Sequence, residues 1–190
     1  MPDKLAEEMI EKAKEACDCE ECDRALEAAS DLLEIDPNDG ISWYIMARAL
    51  MCAGNFDDAL EAVDRAIEMD SSLVGPLRLK GHILFAMGNF TEATEPLLRV
   101  MAKDSKDLEA AYLLSSCYLL LGDEVKAKQF AIAAAKIDLG GTVAAAKKFY
   151  ETIFIQSTNV SQDQKNRTLK TLNELEAVVK AKGGKKGDEE

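Results

Sequence analysis

The chain has 190 residues, of which 31% are charged and 6% are aromatic, and its formal net charge at pH 7 is −12. An acidic surface of this kind repels phosphate backbones and anionic membranes, so neither nucleic-acid binding nor membrane binding is expected. The sequence has no apolar run long enough to cross a bilayer, and its first residues lack the basic and apolar regions of a signal peptide. We therefore expect no membrane insertion.

A 34-residue period organises most of the sequence. Glycine returns at this step, alanine follows each glycine five residues later, and aspartates keep the same spacing. The residues concerned are Gly54, Gly88 and Gly122; Ala59, Ala93 and Ala127; and Asp36, Asp70, Asp104 and Asp138. Such a period is typical of a helical solenoid, in which each repeat packs on its neighbours. It predicts four repeats within residues 6–141, at 6–39, 40–73, 74–107 and 108–141.

Each repeat is predicted to contain two helices. In the second repeat Trp43, Ala47 and Leu50 recur at spacings of three and four residues, which indicates one apolar helix face. Gly54 then breaks the helix, and Asn55 is expected to cap the next one. The first repeat, 6–39, is degenerate, as a terminal repeat with a polar outer face should be.

The period stops after residue 141, but the helical pattern continues. Residues 142–156 are predicted to form one helix, and a capping box from Ser161 to Gln164 opens a last one. We interpret residues 142–182 as a helical pair that caps the array. Residues 183–190 contain no apolar side chain, so this tail is expected to be disordered.

The repeat columns resemble the tetratricopeptide repeat family. The likeness is most complete between Trp43 and Ala66, and it covers residues 40–141 well and 6–39 in part. The resemblance implies an all-α, right-handed superhelix of antiparallel helix pairs, whose first helices line a concave groove that holds a peptide. Some family members hold chaperone C-termini with a clamp of lysine and asparagine. That clamp is not matched, because this chain offers Arg48, Arg78 and His82 instead.

The resemblance implies a stripe of residues along the groove face of the first helices. Its polar and aromatic members are Lys14, Tyr44, Arg48, Arg78, His82, Phe85, Tyr112 and Ser116. A basic and aromatic stripe in an acidic chain favours an acidic or carboxylate-bearing peptide, with Arg48 and Arg78 pairing its charges. The alternative interpretation is that these cations are ordinary solvated helix residues and that Phe85 belongs partly to the core.

Three of the five cysteines, Cys17, Cys19 and Cys22, lie within six residues of one another. Thiolates are good ligands for soft cations, but the spacing is not a paired Cys-x-x-Cys motif and no fourth ligand is near. We therefore favour packing roles and expect no metal site, with Cys52 and Cys117 also as packing residues. Free thiols in a helical chain point to a reducing, cytoplasmic compartment.

No arrangement of catalytic residues is evident. The single histidine leaves little scope for a Ser-His or Cys-His pair, and there is no phosphate-binding glycine loop. The sequence predicts a non-catalytic, cofactor-free scaffold that binds another protein or peptide. One alternative is a metal- or redox-responsive protein using Cys17 to Cys22. Another is a subunit that self-associates through 142–182, where apolar residues cover more than one helix face: Phe149, Tyr150, Ile153, Phe154 and Ile155.

Overall fold

The computed structural model describes residues 9–13, 15–16, 21–156, 158 and 161–183. These residues form nine numbered α-helices, a short 3-10 helix and a helical N-terminal segment, with no strand among them. The numbered helices are α1 (Cys22–Ile35), α2 (Gly40–Cys52), α3 (Phe56–Met69), α4 (Val74–Ala86), α5 (Phe90–Lys103), α6 (Leu108–Leu120), α7 (Glu124–Ile137), α8 (Leu139–Thr152) and α9 (Gln162–Gly183). The predicted all-α fold is confirmed. None of the helices built from described residues is long and apolar enough to traverse a bilayer.

The periodic glycines end the first helix of three successive pairs. Gly54 adopts φ +79°, in the left-handed region that favours glycine, and Gly88 and Gly122 adopt φ values of +81° and +82°. After α2, the Asn55 amide donates to the Leu50 carbonyl at 2.9 Å, and the Gly54 amide donates to the Met51 carbonyl at 3.0 Å. This is a Schellman motif, which satisfies the last carbonyls of a helix. Glycine therefore recurs every 34 residues because the same left-handed turn ends the first helix of three successive pairs.

Among the helices that follow these turns, α7 has an aspartate cap, whereas the asparagine cap predicted for α3 does not form. Asn55 stands at the N-cap position of α3, but its side chain makes no capping hydrogen bond. Asp123, at the corresponding position before α7, accepts a hydrogen bond from the Lys126 amide at 3.0 Å. A carboxylate gains more here than a neutral amide because its charge interacts with the helix dipole. The predicted Ser161 cap is present, since its hydroxyl accepts from the Gln164 amide at 3.3 Å.

The chain divides into two compact units, Met1–Val100 and Met101–Glu190, called unit 1 and unit 2 below. In unit 1, α2 packs against both α1 and α3, and α4 packs against α2 and α3. Small residues allow these close contacts: Ala47 and Ala59 are completely buried in the same core cluster. Gly81 of α4 lies against Leu97 of α5, where an added Cβ would be 2.5 Å from the leucine Cγ. The core of unit 1 is therefore built from small residues set against large ones.

In unit 2, α6 packs against α7 and α8, and α9 packs against α8. Phe154 of the 3-10 helix (Phe154–Gln156) is completely buried and lies 5.9 Å, between ring centroids, from both Phe149 and Tyr150. These three aromatic residues, which the self-association hypothesis used, therefore pack inside the unit. Only Ile153 and Ile155 of that set remain exposed. The Lys147 ammonium and the Glu176 carboxylate, 2.6 Å apart, also join α8 to α9.

Candidate functional site

The groove residues predicted in unit 1 come from two helices that touch. Tyr44 and Arg48 lie one turn apart on α2, and Arg78 and His82 lie one turn apart on α4. All four side chains are half-buried. The Tyr44 ring extends to α4, since a Cβ added at Gly75 would lie 3.3 Å from its Cζ. The structure thus brings two arginines, a histidine and a tyrosine onto neighbouring helices of one unit.

The Tyr44 ring also contacts its own helix. The Arg48 guanidinium carbon lies 6.0 Å from the ring centroid, at the outer limit of a cation–π contact. Arg48 is therefore held beside an aromatic face while part of it remains accessible. An arginine in this setting presents a planar fork of donors that matches a carboxylate. We name the set formed by Tyr44, Arg48, Arg78 and His82 the unit 1 groove.

Phe85, another member of the predicted stripe, does not contribute to the unit 1 groove. Phe85 is only 8% exposed, and its ring packs 5.4 Å from that of Phe90, measured between centroids. The alternative interpretation, which assigned Phe85 partly to the core, agrees with this position. Lys14 lies outside the described residues, so nothing is added here to its prediction.

Tyr112 and Ser116, the predicted groove residues of unit 2, line a cavity of about 420 Å³. The Tyr112 hydroxyl donates to the Ala145 carbonyl of α8 at 3.0 Å, and its ring meets Phe149 edge-on. Burial raises the pKa of Tyr112 to about 12, although a hydrogen bond with Ser116 acts in the opposite direction. The environment of this tyrosine therefore strongly disfavours the ionised form of its hydroxyl.

The cavity is open to solvent on one side and is lined by α6, α7, α8, α9 and the 3-10 helix. Its lining is largely apolar, and alanines of α7 form one wall. The other apolar residues are Leu119, Ala146, Phe149, Tyr150, Phe154, Leu172 and Leu175. Sequence reasoning missed the contribution of α9, because the 34-residue period ends before that helix begins. Outside the repeats, the sequence spacing does not indicate which face of α9 lines the cavity together with α6.

The cysteines depart from the expectation of free thiols. Cys22, the first residue of α1, forms a disulfide with Cys52, the last residue of α2, and their Cα atoms are 5.6 Å apart. The expected packing role of Cys52 is therefore wrong, and the basis of the cytoplasmic prediction does not hold for this pair. Cys117 is free and buried, as expected, and burial raises the pKa of its thiol to about 12.

The disulfide also bears on the metal hypothesis. A sulfur bonded to another sulfur has no thiolate to offer, so Cys22 is not a metal ligand in this state. Cys17 and Cys19 lie outside the described residues. Within the part of the chain that the structure describes, no three histidine, cysteine, aspartate or glutamate residues gather into a metal site.

The helix pairs, the left-handed glycine turns and the small-residue contacts define a helical-repeat protein. The tetratricopeptide repeat family model matches residues 10–73 and 78–140, which together exceed half of the chain. The chain therefore belongs to the tetratricopeptide repeat family, whose members are protein-interaction modules. No protein with a curated description matches the sequence.

Solved structures of the same fold cover nearly all of the chain. A fragment of MamA from Desulfovibrio magneticus RS-1 is 19% identical over 91% of this chain and 96% of its own, with a TM-score of 0.69. PilF from Pseudomonas aeruginosa is 16% identical over 92% of this chain and 76% of its own, with a TM-score of 0.73. YrrB, described as a tetratricopeptide repeat protein with an unusual peptide-binding site, is 18% identical over 88% and 84%, with a TM-score of 0.66. At these identities the similarity concerns the fold alone.

Proposed function

We propose that this chain is a non-catalytic interaction module that binds an acidic peptide segment in the unit 1 groove. Membership of the tetratricopeptide repeat family supports the general role. The observation that carries the proposal is the position of Arg48 and Arg78 on two contacting helices, with the Tyr44 ring beside Arg48 and reaching Gly75 of the second helix. Two arginines and an aromatic face supply both charge pairing and apolar contact area, the combination enriched at protein interfaces.

The charge of the chain makes this groove selective. In a molecule of net charge −12, an acidic partner is repelled by most of the surface. Another cation of α4, Lys80, pairs with Asp64 of α3 at 2.5 Å. We infer that Arg48 and Arg78 are the charged groups that attract an acidic segment, with His82 beside Arg78 on α4.

Unit 2 offers a different kind of surface. Tyr112 and Ser116 share their cavity with Thr168, Leu172 and Leu175 of α9. An extended peptide on this face of α6 would have to compete with α9. We therefore restrict the proposed peptide site to unit 1, and we propose that 142–182 acts as a capping pair after four repeats.

Selection from a random peptide display library tests the proposal without a known partner. Wild-type protein should enrich peptides with several aspartates or glutamates and at least one large apolar residue. The test variant is Arg48→Glu with Arg78→Glu, which should lose that enrichment. Helicity measured by circular dichroism shows whether the variant is folded.

A matched control carries the same change in charge elsewhere in unit 1. Arg65 of α3 and Arg99 of α5 are exposed residues on second helices, so Arg65→Glu with Arg99→Glu should retain the acidic peptides. Enrichment of basic or neutral peptides by the wild type would contradict the proposal. If both double variants lost the enrichment of acidic peptides equally, net charge rather than the unit 1 groove would explain the binding.

The expected cytoplasmic location stays a prediction, and the disulfide provides its test. Disulfides persist in oxidising compartments, whereas cytosolic thiols are kept reduced. Protein taken from cells in the presence of a thiol-alkylating reagent should carry the label on Cys22 and Cys52 if the compartment is reducing. Absence of label on both cysteines would indicate an oxidising compartment and contradict the cytoplasmic prediction.

A further inference from the structure

The cavity of unit 2 lies where two facing columns of the 34-residue repeat meet, and one of these columns changes there from a branched residue to alanine. In the third repeat these columns pair Gly81 with Leu97, whose fully buried side chain lies against the glycine. In the fourth repeat the same columns hold Ser115 and Ala131, and both line the cavity. The second repeat has the fully buried Val63 where the fourth has Ala131. The space that a branched side chain fills in the second and third repeats is therefore left open here.

Most of the hydroxyls in the cavity wall are engaged within the protein. Five hydroxyls of the lining donate to main-chain carbonyls, so they have no proton left to donate to a ligand. The pairs are Tyr112 to Ala145 at 3.0 Å, Ser115 to Ala127 at 3.0 Å, Ser116 to Tyr112 at 3.1 Å, Thr142 to Asp138 at 2.5 Å and Thr171 to Arg167 at 3.1 Å. A peptide carries a carbonyl at every residue, and these five hydroxyls offer such carbonyls no donor. An aliphatic chain has no such requirement.

The charges of the lining are on exposed side chains. Lys128 of α7 and Arg167 of α9 both line the cavity and both are exposed. One carboxylate, that of Glu124, also contributes, so two cations and one anion leave a net charge of +1. In an acidic protein this reversal favours a ligand with one negative group at the end of an apolar body.

We propose that this cavity binds a medium-chain aliphatic carboxylate, with its hydrocarbon chain among the alanines of α7 and the aromatic residues of α8 and the 3-10 helix. The carboxylate lies at the solvent edge, where Arg167 and Lys128 pair with it. A volume of about 420 Å³ holds on the order of 14 water-sized groups at roughly 30 Å³ each. A ten- to twelve-carbon acid matches that size. The proposal is independent of the peptide site in unit 1.

Calorimetric titration with decanoate and butanoate, below the concentrations at which micelles form, tests the apolar part. Each buried methylene should improve affinity about fourfold, so decanoate should bind far more tightly than butanoate. Ala131→Leu restores the side chain of the third repeat and should weaken decanoate binding at least tenfold. The matched control is Ala144→Leu, an exposed alanine of α8 outside the cavity lining, which should leave binding unchanged.

The charged edge has its own test. Arg167→Gln changes an exposed residue, so the variant should fold, and it should weaken decanoate about tenfold while leaving decanol unchanged. Decyltrimethylammonium should bind at least tenfold more weakly than decanoate to the wild type.

Three results would overturn the proposal. They are no heat of binding with decanoate, equal decanoate affinity in wild type and a folded Ala131→Leu variant, or equal affinity for the cationic and anionic amphiphiles. Binding of trileucine that Ala131→Leu abolishes, without binding of decanoate, would assign the cavity to a peptide terminus instead.

Discussion

Replacing Gly81 with alanine tests whether close helix contact, rather than helix propensity, determines the residue at this column. The added Cβ would lie 2.5 Å from Cγ and 2.6 Å from Cδ2 of Leu97. Leu97 is completely buried, so its side chain cannot swing into solvent to relieve the overlap. The helices must separate or the leucine must leave its preferred rotamer.

The expected magnitude follows from two opposing terms. Overpacking a close contact costs about 1–3 kcal/mol. Alanine is favoured over glycine inside a helix by about 1 kcal/mol. Gly81→Ala should therefore lower the free energy of unfolding by up to about 2 kcal/mol, although helix propensity alone predicts a gain. Leu97→Ala on its own should cost about 2–5 kcal/mol.

The double variant gives the sharper test. With Leu97 shortened, the new methyl at position 81 fills part of the vacated space, so the two costs should not add. We expect a coupling of about 1–3 kcal/mol in a urea-denaturation cycle followed by circular dichroism. As a control, Gly140→Ala should be neutral or stabilising, because its Cβ would meet ordinary contacts of 3.6 Å and beyond. A stabilised Gly81→Ala variant, or additivity within about 0.5 kcal/mol, would refute the reasoning.

Further predictions concern the cysteines and a helix cap. Cys22→Ser breaks the link to Cys52 and should lower the unfolding free energy of unit 1 by about 2–4 kcal/mol, with no further loss on adding dithiothreitol. Cys117 should react with iodoacetamide at pH 8 only after unfolding, since burial raises its pKa to about 12. The pKa of Asp123 is lowered from 3.8, first by the hydrogen bond from the Lys126 amide. Because the pKa of Asp123 is lower in the folded than in the unfolded state, the cap stabilises the protein above the ordinary pKa, and this stabilisation is lost as the pH falls through the folded pKa. Below the ordinary pKa, the free energy of unfolding of Asp123→Ala should therefore fall less on acidification than that of the wild type.

The repeated part of the fold was predictable because each column has a local cause. Gly54 requires a left-handed turn, and Ala59 sits where a larger side chain would force two helices apart. These requirements recur at every repeat, so they leave a periodic mark in the sequence. The unit 1 groove followed from the same period, since Tyr44 and Arg78 occupy one column of successive first helices.

The remaining features depend on contacts that no period records. Cys22 and Cys52 are 30 residues apart and occupy different columns, so only the packing of α1 on α2 brings them together. The unit 2 cavity needs α9, which belongs to no repeat. Phe85 shares the spacing of the groove residues, yet its aromatic contact with Phe90 keeps it buried. Periodicity indicates which residues share a helix face, but not which of them a neighbour covers.

The binding of an acidic peptide to the unit 1 groove is the central functional claim, and a titration tests it most directly. A fluorescein-labelled peptide from the display selection would be titrated by anisotropy against the wild type, Arg48→Glu with Arg78→Glu, and Arg65→Glu with Arg99→Glu. Loss of two charge-assisted contacts of about 1.5–3 kcal/mol each should weaken the groove variant at least a hundredfold. The control variant should remain within about threefold of the wild type. Unchanged affinity in the folded groove variant, or an equal loss in both variants, would contradict the claim.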